Sequence, residues 1–194
     1  MKLKTLAAFA LASALAFTGA AEAAAIVIGS GPDSAFYVLE SPNIGSRTYE
    51  IRYTHNESEP LDGWDLLQVV DSHESDLSVE AFNFGSEEAP NWFVNAVTWM
   101  GTTETANSED PFVPYWAQWV SGGEAGFPTA TPVASGVWSA GSGLSAPYRF
   151  IEPGSWEALK FGDFVTVPTV APVPEPSALV LAFGGLVFLA RRRR

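Results

Sequence analysis

The 194-residue chain contains no cysteine. That excludes a disulfide framework, a thiolate metal site and a cysteine nucleophile. Histidine is nearly absent, with only His55 and His73, and basic side chains are few. Six of the ten basic residues sit at the ends, at Lys2, Lys4, Arg191, Arg192, Arg193 and Arg194. Residues 25–176 hold only Arg47, Arg52, Arg149 and Lys160 against 21 acids, a net charge of −17. Such a surface repels phosphate backbones and anionic lipid, so a nucleic-acid partner is excluded. Charged residues make up 16% of the chain, below the roughly 25% of ordinary soluble proteins.

Motifs for catalysis are also missing. No H-E-x-x-H, G-x-S-x-G or S-x-x-K is present, and Gly29-Ser30-Gly31 lacks the lysine of a phosphate-binding loop. No spacing among the acids marks the carboxylate pair of a glycoside hydrolase. Asp71, His73, Glu74 and Asp76 cluster, and hard oxygen ligands at short spacing suit Ca²⁺. The glycine turn of an EF-hand is absent. From Glu50 to Glu124 there are fifteen acids and one basic residue, so the plain reading is a solvated acidic face. The expectation is a protein that is not an enzyme and uses no cofactor or metal.

What is present begins with the ends. Lys2 and Lys4 precede an apolar run over 6–17, followed by small residues through Ala25. A basic start, a short apolar stretch and an A-x-A exit define a secretory signal peptide over 1–25. Signal peptidase would cut after Ala23 or Ala25. At the other end, residues 166–176 read T-V-P-T-V-A-P-V-P-E-P. Four prolines block helix and remove donors, which predicts an extended, solvated linker. Residues 177–190 carry no charge, and four arginines follow. As a helix, 177–190 would rise about 21 Å against a hydrocarbon core of roughly 30 Å. Snorkelling arginines and local thinning lessen that mismatch, so a transmembrane helix is expected. Arg191, Arg192, Arg193 and Arg194 act as the stop and stay cytoplasmic by the positive-inside rule.

Val173-Pro174-Glu175-Pro176, the apolar span 177–190 and the terminal arginines together resemble the PEP-CTERM sorting signal of Gram-negative bacteria. The resemblance implies recognition by an exosortase, a membrane-embedded cysteine peptidase, with Pro174, Glu175 and Pro176 as the recognition element. It also implies a transient inner-membrane precursor, delivery to the cell surface or medium, and a producer of exopolysaccharide.

Residues 26–165 should form one acidic, Trp-rich globular domain. Residues 26–28 are a short apolar run. Residues 35–40 and 47–54 read as strands around the turn cluster 41–46. Asp62 can cap a helix through Trp64, Leu67 and Val70. Leu77, Val79, Ala81 and Asn83 share one face of a strand, with Phe82 and Phe84 on the other. Residues 91–100 and 115–120 are further strands rich in Trp, and beyond Ser121 the Gly/Ser/Pro-rich chain keeps short apolar pieces at 137–138, 148–151 and 159–165. This order predicts a small α+β domain of β-grasp-like type. The rival is an all-β sandwich in which 64–70 is also extended.

Asp62-Gly63-Trp64-Asp65, Trp92-Phe93-Val94-Asn95, Tyr115-Trp116-Ala117-Gln118-Trp119 and Pro153-Gly154-Ser155-Trp156 are similar to the pattern of transcobalamin-like C-terminal domains. That resemblance implies a small-ligand module of corrinoid-binding type. All seven tryptophans lie in the middle region. Flat aromatic faces stack on sugar rings, which makes Trp92, Trp99, Trp116 and Trp119 candidate binding aromatics. Trp116 and Trp119 should point to opposite faces of their strand, so at most one of them need be buried. The leading expectation is a binding or structural module for polysaccharide. The corrinoid-like module is second and a glycan hydrolase third.

Overall fold

The computed structural model describes residues 25–107, 109 and 113–173. The expected signal sequence up to residue 24, Pro174, Glu175 and Pro176, the span 177–190 and the four arginines lie outside the described residues. Within them, no helix is long and apolar enough to cross a membrane.

The chain begins with β1 (Ile26–Gly29), β2 (Asp33–Ser41) and β3 (Gly45–Tyr53), followed by α1 (Gly63–His73). Then come β4 (Leu77–Asn83), β5 (Trp92–Trp99), β6 (Thr102–Thr105) and β7 (Tyr115–Ser121). Short strands β8 (Glu124–Ala125), β9 (Thr131–Pro132), β10 (Ser139–Ala140) and β11 (Arg149–Phe150) lead to β12 (Trp156–Gly162). The main sheet has the order β1-β3-β2-β12-β7-β10. β4-β5-β6 and β11-β8-β9 form two smaller sheets. The domain is small and β-rich, with one helix among the described residues.

Local chemistry explains the first elements. Tyr49, Ile51 and Tyr53 alternate with polar neighbours, so β3 buries one side. Its hairpin with β2 closes at Ser41, paired with Gly45. The Ser41 hydroxyl accepts from the amides of Asn43 and Ile44 and donates to Glu104 at 2.8 Å, which holds the turn. Asp62 caps α1 as expected: its Oδ1 accepts from the Asp65 amide at 2.9 Å, and Asp65 accepts from the Asp62 amide. Leu66, Leu67 and Val70 turn inward, each contributing about 1.5–3 kcal/mol by burial. The segment 64–70 is therefore helical, and the sandwich with an extended 64–70 does not hold. β4 and β5 pair antiparallel, with a bulge between Glu80 and Ala81.

The late chain departs from expectation. The last strand starts at Trp156 and stops at Gly162, so it takes in only part of the apolar piece 159–165. It lies at the centre of the sheet, parallel to β2 and antiparallel to β7. Both faces of this sheet are covered. Tyr37, Leu39, Tyr49, Ile51, Leu159 and Phe161 face the main core with α1, β4 and β5. Val38, Ala117, Trp119, Trp156 and Ala158 form a second cluster on the reverse face. A strand covered on both faces is expected to be apolar throughout, but the buried Glu157 and the paired Lys160 interrupt β12 and hide its onset in the sequence.

The proline-rich segment is not solvated throughout. Pro168 and Pro172 are buried, and Val170 packs on the reverse-face cluster. Among the described residues, packing against the domain continues to Pro172.

One ion pair sits at the heart of this arrangement. Arg149 Nε donates to Glu157 Oε2 at 2.7 Å, and both side chains are 0% exposed. The remaining guanidinium donors reach the carbonyls of Gly122, Glu124, Phe150 and Trp156. Removing one partner leaves a buried, uncompensated charge. Glu157→Gln and Arg149→Met should each lose about 3–5 kcal/mol in urea unfolding. The double replacement Arg149→Met with Glu157→Leu should lose less than either single change. Equal or additive losses would contradict this reading.

Candidate functional site

A cavity of about 430 Å³ opens where the main sheet meets β5 and the loop before β11. Trp92, Phe93 and Val94 come from β5, and Tyr115, Trp116 and Gln118 from β7. Gly141, Ser142, Gly143 and Leu144 form one rim, and Phe84, Asn91, Leu159 and Phe164 complete it. No charged side chain lines the space. On so acidic a domain, that is a local exception.

Each wall has a structural cause. Trp92 is held by a parallel stack on Trp64 of α1, with ring centres 4.5 Å apart. Tyr115 leans on Phe164 at 5.0 Å, and Trp116 on Phe161 at 5.2 Å. Trp116 Nε1 donates to the Glu104 carbonyl, so its orientation is fixed. Gln118 controls the opposite rim. Its Nε2 donates to the Gly143 carbonyl at 2.9 Å, and its Oε1 accepts from the Gly143 amide at 2.8 Å. The same Nε2 donates to Glu157 Oε1 at 2.7 Å, which ties the rim to the buried ion pair. Trp64 and Ala146 donate backbone N–H bonds to the Leu144 carbonyl and to Asp62 Oδ2, which ties this loop to the α1 cap.

Burial shifts the ionisable groups in and behind this region toward their neutral forms. Burial pushes the Glu157 carboxyl up, and Arg149 and Gln118 pull against it. Burial, with Glu157 nearby, drives the Tyr37 phenol well above its usual range. Burial also raises Tyr115, so its hydroxyl stays protonated beside the cavity. The site can therefore offer aromatic faces, a phenol, two amides and a hydroxyl. It offers no general base and no ion.

The four candidate tryptophans do not form a row. Trp92 and Trp116 share the cavity, and only Trp92 is partly exposed. Trp99 is buried beneath Arg47, whose guanidinium lies 4.1 Å from the ring centre. Trp116 and Trp119 do point to opposite faces, yet both are buried, because elements cover both sides of the sheet. Among the described residues, no group of three or more acids or histidines is placed to hold a metal. In the 71–76 cluster, Glu74 instead meets Arg47 at 3.7 Å. Gln118, Asn91, Tyr115 and the 141–143 rim carry no motif of their own. The one local hint is the Gly141-Ser142-Gly143 punctuation.

A family model for the PEP-CTERM protein-sorting motif matches residues 172–194. The chain thus carries a PEP-CTERM signal, which supports export and sorting through exosortase after a transient stay in the membrane. No curated protein and no solved structure matches the chain. None of these comparisons supports the likeness to transcobalamin-like domains.

Two glycines test the rim directly. A Cβ on Gly141 would lie 2.3 Å from the Gln118 amide, and one on Gly143 would lie 2.7 Å from Asn91 Oδ1. Gly143 also has φ +158. Gly141→Ala should cost about 1–3 kcal/mol, with the Gln118 side chain displaced. Thermal unfolding and the Gln118 side-chain amide NMR signals would check it. An unshifted amide at unchanged stability would refute this rim geometry.

Proposed function

We propose that the chain is a non-enzymatic cell-surface or matrix protein of a Gram-negative, exopolysaccharide-producing cell. Its mature part is an α+β binding module, and the aromatic cavity is its ligand site. Signal peptidase removes the leader, residues 177–190 anchor the precursor in the inner membrane, and Pro174-Glu175-Pro176 directs exosortase. The supporting observation for binding is the uncharged, aromatic lining. Sugar rings present apolar CH faces to aromatics and hydroxyls to amides and phenols. Trp92 and Tyr115 supply the first, and Asn91, Ser142 and the Tyr115 hydroxyl the second. The absence of any carboxylate or histidine from the lining favours binding over hydrolysis.

A small-ligand module is the second reading. Its support is the cavity volume, which falls within the roughly 300–1,000 Å³ of small-molecule sites.

The processed protein should bind neutral glycans on an array that also carries uronate-rich glycans and corrinoids. Trp92→Ala should weaken that binding up to about tenfold, since a stacked ring contributes about 0.5–1.5 kcal/mol beyond burial. Corrinoid binding alone would favour the second reading. Glycan binding untouched by Trp92→Ala would place the site elsewhere.

A further inference from the structure

The segment 163–173 lies across the reverse face of the main sheet as a strap. It joins none of the described sheets and is held by side chains. Glu40 Oε2 accepts from both the amide and the hydroxyl of Thr169, each at 2.7 Å. Lys160 Nζ donates to the Val167 carbonyl at 2.9 Å and meets Glu40 at 3.4 Å. Trp138 Nε1 donates to the Val170 carbonyl at 2.8 Å. Asp163 Oδ1 accepts from the amides of Val165 and Thr166 and shapes the first turn. Residues 164–167 are exposed, whereas Pro168 and Pro172 are buried. Few anchors and no strand pairing mark a unit that opens before the sheet does.

Four residues, 173–176, separate Pro172, the last buried residue among those described, from the apolar run that starts at Ser177. Four residues reach at most about 14 Å. The globule behind them is about 40 Å across for a domain of this size. With the strap docked, the domain is pressed against the membrane surface and crowds any peptidase that must grip extended chain around Pro174-Glu175-Pro176. Release back to Gly162 lengthens the reach to about 50 Å.

The geometry points to strap release as the step that presents the sorting motif to exosortase, with Glu40, Trp138 and Lys160 as positioning residues for that cut. This inference rests on the sorting function; opening back to Gly162 also withdraws Phe164 from the cavity rim. The acidic domain folds, the strap docks and sets the resting state, and the cut awaits a transient opening.

The test is a pulse–chase of the full-length chain in an exosortase-bearing host, with conversion read by mass. Glu40→Ala removes both Thr169 bonds and should raise the conversion rate about tenfold, in line with the loss of a charge-assisted hydrogen bond. A Gly/Ser insertion of about nine residues between Val173 and Pro174 leaves the strap docked and should raise it similarly. The two together should give no further gain, since both relieve one constraint. Unchanged conversion in the insertion variant would overturn the inference, even if Glu40→Ala fails to fold. Additive acceleration would also overturn it. Replacing Pro174-Glu175-Pro176 with alanines should abolish conversion in every background. Normal conversion of that variant would instead sink the sorting function itself.

Discussion

The buried contact between Arg149 and Glu157 is the constraint on which the other parts depend. Glu157 lies in β12, the strand that joins β2 to β7 at the centre of the main sheet. Arg149 lies in β11 and gathers carbonyls from 122, 124, 150 and 156 around one planar fork. A fork of fixed geometry accepts one arrangement of those carbonyls and few others. Taking two charges out of water is costly, so the pair is a weak source of net stability. What it supplies is position. Through Glu157 it orients Gln118, and through Gln118 it fixes the rim at 141–143.

Much of the early fold was legible because its signals are local. The hairpin showed as an apolar run at 35–40 and an alternating run at 47–54 around the turn cluster 41–46. The helix showed as Asp62 before a periodic run, with Asp65 completing the cap. The later chain was not legible in the same way. Arg149 and Glu157 lie eight residues apart in a stretch punctuated by Pro153 and Gly154, and nothing local announces that they meet. The onset of β12 was missed because Glu157, a charge neutralised by Arg149 of β11, breaks its apolar run. Strand geometry alone required burial of at most one of Trp116 and Trp119, since one strand cannot reveal that Trp138 and Val170 cover the sheet behind Trp119. Proline content signalled that 166–172 would not pair as a strand. It did not signal that Pro168 and Pro172 would be buried.

The candidate site shows the same division. Its aromatics were visible as a class, but their grouping was not. Phe84, Trp92, Tyr115, Gly141 and Phe164 converge from five separate segments, and only the packing of β5 against β7 brings them together. The uncharged lining contrasts with the acidity of residues 25–176. On the proposed binding reading, that contrast assigns repulsion and solubility to the outer surface and contact with a neutral ligand to the cavity.

The C-terminal signal and the folded domain meet in the strap, where a sorting tail continues from a docked segment with little slack. Export and trimming form the central claim, and intact mass of the secreted protein tests it most directly. The expected species begins after Ala23 or Ala25, lacks residues 177–194, and shows any group added at the new C-terminus as excess mass. A secreted species that keeps the apolar run and all four terminal arginines would contradict it.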